Sequence, residues 1–260
     1  MLKKGLSRKR IAIIGHQTLT AKIILKKLIA AGCRSIVILQ SNRNPEKNQK
    51  YASDSYFSEP EQREIQSNVL FLALEEAAEM IKDSIDLLFC AFSFVDFSSP
   101  DKIVNNHILA TSKIAAALGK INIEKCVLLS SVYVRGPGYV PEEEELEEAA
   151  IPARFSSKTE ALSYLKDNFQ NPIEAWRWSM NYVEHSYFGL AKQITVLRVP
   201  SLGPTVANYE GRLCQPSPFA YLLCQAGLGL IRSLEGVGST KVDVVPTDYA
   251  SHLMLVLAVR

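Results

Sequence analysis

The candidate proton carriers that stand inside apolar or amphipathic stretches of this chain are few and unevenly spaced. Ser131 and Tyr133 lie in an apolar run, "LLSSVYVRG" (Leu128–Gly136). His107 lies inside a long amphipathic stretch, and Tyr182 and His185 stand near the end of another, "EAWRWSMNYVEH" (Glu174–His185). A hydroxyl can orient a carbonyl, and a phenol or imidazole can give or take a proton when its pKa is drawn toward neutrality. Of these groups His107 is best matched to neutral pH. A lone histidine in a helix is more often a packed structural residue, and that reading stands beside the chemical one.

A second feature is the turn after the first apolar run, "RIAIIGHQTLTA". Gly15 stands at its start, and Thr18 and Ala21 follow at three-residue spacing. A turn that cradles a pyrophosphate needs glycines there, so that the backbone approaches the phosphates at the N-terminus of the next helix. Ala21 is small enough for close helix–strand packing. Thr18 sets a β-branched side chain where the backbone would meet phosphate, and a positive φ there would be costly. Thr18 or Thr20 can instead cap the helix. Arg43 follows the second apolar run, where a guanidinium pairs with a 2′-phosphate and favours NADP over NAD; a solvated loop arginine is the competing reading.

These residues need a frame. "RIAIIGH" and "SIVILQS" read as buried strands flanking an amphipathic helix, "LTAKIILKKLIAAG", with Gly32 as its stop. Strand, helix and strand with tight connections make a right-handed parallel crossover. Residues 42–66 read as a polar surface excursion with some helix. "NVLFLAL", "IDLLFCAFSFVDF" and "KCVLLSSVYV" supply further strands, alternating with "EEAAEMIKD" and the long helix "DKIVNNHILATSKIAAALGK". The alternation predicts an α/β fold with a doubly wound parallel sheet. Beyond it come a short helix at "KTEALSYLKDNF", a long one over "AWRWSMNYVEHSYFGLAK", a sixth strand at "ITVLRVP", an apolar helix at "SPFAYLLCQAGLGLI", and a strand, proline break and final helix in "TKVDVVPTDYASHLMLVLAV". Residues 1–260 read as one domain, with 200–260 adding a C-terminal lobe that is either small or truncated.

Composition narrows the function classes. A formal charge of +2 is too small to imply nucleic acid as a partner. No apolar run reaches the length of a membrane span, and the basic start, "MLKKGLSRKR", reads as a solvated leader rather than a signal peptide. Five cysteines and four histidines are dispersed without ligand spacing, which gives no metal site and fits a reducing, cytoplasmic setting. Six glutamates between Glu142 and Glu148 read as a solvated loop, with an interaction surface as the alternative.

Taken in order, the landmarks resemble the extended short-chain dehydrogenase/reductase superfamily, nearest its thioester-reductase and fatty-acyl-CoA-reductase branch. "AFSFVDF" resembles the segment after the fourth strand, "LLSSVYVRG" the fifth-strand motif, "LRVPSLGPT" the Arg-Pro strand end and "VDVVPTDYA" the late Val-Pro-x-Asp-Tyr motif. The resemblance implies a Rossmann-like fold with a C-terminal substrate lobe and an NAD or NADP cofactor. It places Ser131 where a Ser or Thr orients the substrate carbonyl. It places Trp176 where a Tyr transfers the proton, Met180 where a Lys lowers that Tyr's pKa and holds the nicotinamide ribose, and His107 at a helical Asn. An indole N–H does not release a proton at working pH, and a thioether carries no charge. Spaced i,i+4, Trp176 and Met180 make a packing pair in a filled cleft instead. Tyr182 is about 240° further round that helix and His185 roughly 13 Å further along it, so neither replaces the missing Tyr. Three readings follow: a degenerate, redox-incompetent fold serving as a structural or interaction module or binder of an acyl or carrier-linked ligand; an active NAD(P)-dependent reductase of an acyl thioester or related carbonyl; and a non-redox cyclase on carrier-bound thioesters. The partner would then be an acyl carrier or another protein.

Overall fold

In the computed structural model the described residues are 5–41, 44–81, 84–91, 99–135, 155–203, 205, 225, 227–230 and 243–260. Six parallel strands form one sheet: β1 (Arg10–Ile14), β2 (Ser35–Gln40), β3 (Val69–Ala73), β4 (Ile85–Cys90), β5 (Ile123–Ser131) and β6 (Gln193–Val199). Their spatial order is β3-β2-β1-β4-β5-β6. This is the predicted doubly wound, Rossmann-like α/β sheet, and its order reverses between β1 and β4. Ligands of such sheets bind in the crevice at the carboxyl ends of the strands flanking that reversal.

The strands form because both faces of a parallel sheet are covered, so near-continuous aliphatic runs are needed. Register alternates the side chains into two core layers. Ile11, Ile13, Ile36, Ile38, Phe89, Val127 and Leu129 face one side, under α1 (Leu19–Ala30) and the C-terminal helix Thr247–Val259. Ala12, Ile14, Val37, Leu39, Leu88, Cys90, Cys126 and Leu128 face the other. The excursion after β2 is more ordered than its polarity suggests. It holds α2 (Pro45–Ala52) and α3 (Glu59–Asn68), each with proline in its first turn, and it buries Tyr51 and Phe57 in the first layer.

The stretch read as one long helix after β4 is interrupted. After the short α4 (Leu74–Met80), α5 (Pro100–Ile103) runs into a π-helical segment, Val104–Leu109, before α6 (Ala110–Leu118). Such π segments concentrate at functional sites; this one carries His107. Then come α7 (Lys158–Asn168) and α8 (Pro172–Ser186). The C-terminal part contributes β7 (Ser201–Gly203) and β8 (Val244–Pro246), paired in parallel, and α9 (Thr247–Val259). The start of the chain is less solvated than expected: Leu6 is buried in the first core layer. The acidic run 142–148 lies outside the described residues, as does most of "SPFAYLLCQAGLGLI". Among the described residues no helix is long and apolar enough to cross a membrane, and no group of His, Cys, Asp or Glu is placed to hold a metal.

The central strands carry the stability. Phe89 on β4 is fully buried between β1 and β5. Phe89→Ala is expected to cost about 3–5 kcal/mol in urea denaturation, the range for emptying a large aromatic from a packed core.

Candidate functional site

The turn between β1 and α1 stands at the reversal point. Gly15 adopts φ 83°, a left-handed conformation that favours glycine. Thr18 is the N-cap of α1, with φ −72° and ψ 151°. This corrects one expectation: position 18 requires no positive φ, and threonine is unstrained there. What threonine changes is the occupancy of the turn. Its Oγ accepts from Ala21 N at 3.2 Å and lies 2.9 Å from Gly15 O and 2.8 Å from Ala91 O, with one hydroxyl proton to share between those two carbonyls. Ala91 follows β4 and donates its own N–H to Ile14 O at 3.0 Å. The first turn is thereby laced to the strand across the reversal. Thr20 is buried and does not cap; Ala21 is fully buried, as close helix–strand packing requires.

Three side chains of this region were not singled out by sequence. His16 packs edge-on against Tyr51, with ring centroids 5.2 Å apart. Burial, and then the nearby Lys22 ammonium, lower the His16 pKa to about 4, so the ring is neutral at pH 7. Lys22 itself is paired with Asp54 at 2.6 Å. Gln40 closes β2 where a dinucleotide site commonly has an acid on the ribose, and its buried Nε2 has no hydrogen-bond partner among the described residues. Arg43 lies outside the described residues.

Nicotinamide dinucleotides are the cofactor class this fold suggests. A pyrophosphate needs free amides at the start of α1 and backbone unobstructed by side chains. Here the Thr18 hydroxyl already satisfies Ala21 N, Leu19 and Thr20 are buried, and neutral His16 adds no positive charge. The residues present do not fit a diphosphate seated on a glycine-lined turn.

The second half of the site is α8. Its N-cap, Asn171, accepts from Ile173 N at 2.8 Å, and Pro172 begins the helix. Trp176 and Met180, 5% and 6% exposed, share one buried cluster with Ile103, Val104, Ile108, Val134, Ala161 and Leu165. The expected packing pair is therefore present, between α5, the π segment and α7. His107 is 2% exposed, and its Nδ1 lies 2.7 Å from Ser179 Oγ. Ser179 Oγ is also 2.6 Å from Trp176 O. A carbonyl only accepts, so the serine donates to Trp176 O and receives the His107 Nδ1–H. That bond ties the π segment to α8 and fixes which ring nitrogen carries a proton. Ser179, three residues after Trp176, was missed because a helical serine carries no signal until its partner is known.

Ser131 is placed differently. Alternation along β5 puts it on the face of Val127 and Leu129, whereas Val183 of α8 and Tyr187 just after it belong to the opposite core layer. Its hydroxyl accepts from Tyr133 N at 3.3 Å. The serine that meets α8 is Ser130, which donates to Glu184 Oε1 at 2.5 Å. Glu184, 1% exposed, also receives Arg198 from β6, Nε to Oε1 at 3.1 Å and Nη2 to Oε2 at 2.7 Å. This buried bidentate pair joins α8 to the sheet. The other candidates stand apart: Tyr133 is exposed, Tyr182 is buried with its hydroxyl 3.2 Å from Ser112 Oγ, and His185 packs against Phe188.

Two outcomes follow. Arg198→Ala leaves Glu184 buried without its cation and is expected to cost about 3–5 kcal/mol in urea denaturation, while Arg198→Met combined with Glu184→Leu recovers most of that loss. For His16 the unfolded ring takes up a proton below its ordinary value of 6.5, and the folded one does so only near 4. Stability should therefore fall as pH drops through that window, by roughly 3 kcal/mol, and level off below it. His16→Gln should remove that part of the pH dependence, read from denaturation midpoints between pH 7 and 4.

No protein-family model and no curated protein matches the chain. Solved structures do. The terminal R domain from the myxalamid PKS-NRPS biosynthetic pathway matches with TM-score 0.65 at 18% identity, over 96% of this chain and 62% of that one. MoeE5 in complex with UDP-glucose and NAD matches at 0.58 and 13%, over 95% and 71%. The UDP-N-acetylglucosamine 4-epimerase from Methanobrevibacter ruminantium M1, in complex with UDP-N-acetylmuramic acid, matches at 0.56 and 16%, over 96% and 73%. The chain thus spans between three-fifths and three-quarters of the length of these neighbours. They are extended short-chain dehydrogenase/reductase and epimerase/dehydratase enzymes, a PKS-NRPS terminal reductase domain among them, and at these identities what this chain shares with them is the fold.

Proposed function

We propose that this protein is a reductase-like fold that transfers no hydride and serves as an interaction module or as a binder of an acyl or carrier-linked ligand. One observation carries the reading: Trp176 and Met180 are core residues of an apolar cluster. A proton-transfer site needs an acid drawn toward neutrality and a cation to draw it. At these two positions there is an indole and a thioether, packed against Ile103, Val104 and Ala161. His107 is 2% exposed and hydrogen bonded through Nδ1 to Ser179, which places it among packed groups rather than at an open surface. Ser131 alone can orient a carbonyl but cannot protonate the oxygen that hydride addition would leave.

The test is spectrophotometric. Purified protein is incubated with NADH or NADPH and a panel of acyl-CoA, carrier-bound thioester and aldehyde substrates. No substrate-dependent loss of reduced nucleotide is expected. A steady, substrate-dependent rate that disappears in Ser131→Ala would overturn the reading in favour of an active reductase.

A further inference from the structure

We infer that Thr18 is a built-in plug of the nucleotide turn: its hydroxyl takes the acceptor place that a phosphate oxygen would occupy at the start of α1. The inference deepens the reading above by assigning the loss of a dinucleotide to one side chain, and it concerns binding rather than chemistry.

Three observations converge on it. The turn is unstrained as it stands, since Gly15 takes the left-handed position at φ 83° and Thr18 an ordinary extended conformation. The seat at the helix start is nevertheless filled, because Thr18 Oγ accepts from Ala21 N. The same oxygen is held between Gly15 O and Ala91 O, which ties the plug to both strands flanking the reversal. A hydroxyl supplied by the chain competes with an external phosphate at no cost in translational freedom. The competing anion would also meet two carbonyl oxygens aimed at that position. Neutral His16 beside the turn adds nothing to offset them. Because the seat is filled by one side chain on an unstrained turn, a single substitution opens it.

Calorimetric titration with NAD+, NADH, NADP+ and NADPH tests the inference on the full chain. Wild type should bind none of the four in the micromolar range. Thr18→Gly should tighten at least one of them by about tenfold or more, and Thr18→Ser, which keeps the hydroxyl, should behave as wild type. Thr18→Ala removes the hydroxyl while keeping a residue suited to this backbone, so it stands in if the glycine variant does not fold. Backbone amide NMR gives a second readout: adding inorganic pyrophosphate should shift Leu19, Thr20 and Ala21 in the opened variant and leave them in place in wild type. Micromolar binding by wild type, or variants no tighter than wild type, would overturn the inference. Wild type that binds NADPH without consuming it would remove the plug and leave the proposed absence of hydride transfer standing.

Discussion

An indole and a thioether, one turn apart on α8, belong to the apolar cluster that this helix shares with α5, the π segment and α7. The proposed absence of hydride transfer rests on that packing. Burying Trp176 and Met180 removes apolar surface from water and favours a closed arrangement there. A phenol and an ammonium at the same two positions would demand water, a ribose or a counter-charge. The polar groups that remain nearby are turned inward and satisfied by one another: His107 by Ser179, Ser179 by the Trp176 carbonyl.

The same helix is anchored to the sheet by a polar cluster. Glu184 and Arg198 form a bidentate pair in the interior, with Ser130 on the first carboxylate oxygen. A buried pair of this kind adds little over a well-packed apolar substitute, but it fixes the register of α8 against β5 and β6. At the other end of the crevice Thr18 laces β1 to β4. Both positions are thus held by side-chain interactions within the chain.

How far the sequence disclosed this depends on the kind of signal. The sheet was legible because parallel strands must be aliphatic on both faces, and runs such as "RIAII" and "SIVIL" declare themselves. The cap at Thr18 was legible as an option, since threonine before a helix is a local pattern. The strain expected there was not found, because φ at that residue depends on how the turn meets Ala91, 73 residues further along. Pairings across long separations were invisible: His107 with Ser179, the Arg10 backbone N–H with the Asp86 carboxylate, and Ser130 with Glu184. The π segment was hidden for a similar reason, since "VNNHIL" has ordinary helical periodicity and its extra residue shows only in the hydrogen-bonding pattern. Which of two adjacent serines faces α8 was a matter of strand alternation, and only the register decides it.

Met180→Lys tests the central claim most directly, because it restores the cation that a proton-transfer site would need. If position 180 belongs to a packed apolar cluster, the ammonium is desolvated and the fold should lose about 3 kcal/mol or more in urea denaturation. A lysine tolerated within roughly 0.5 kcal/mol, as at an open, polar cleft, would contradict the account.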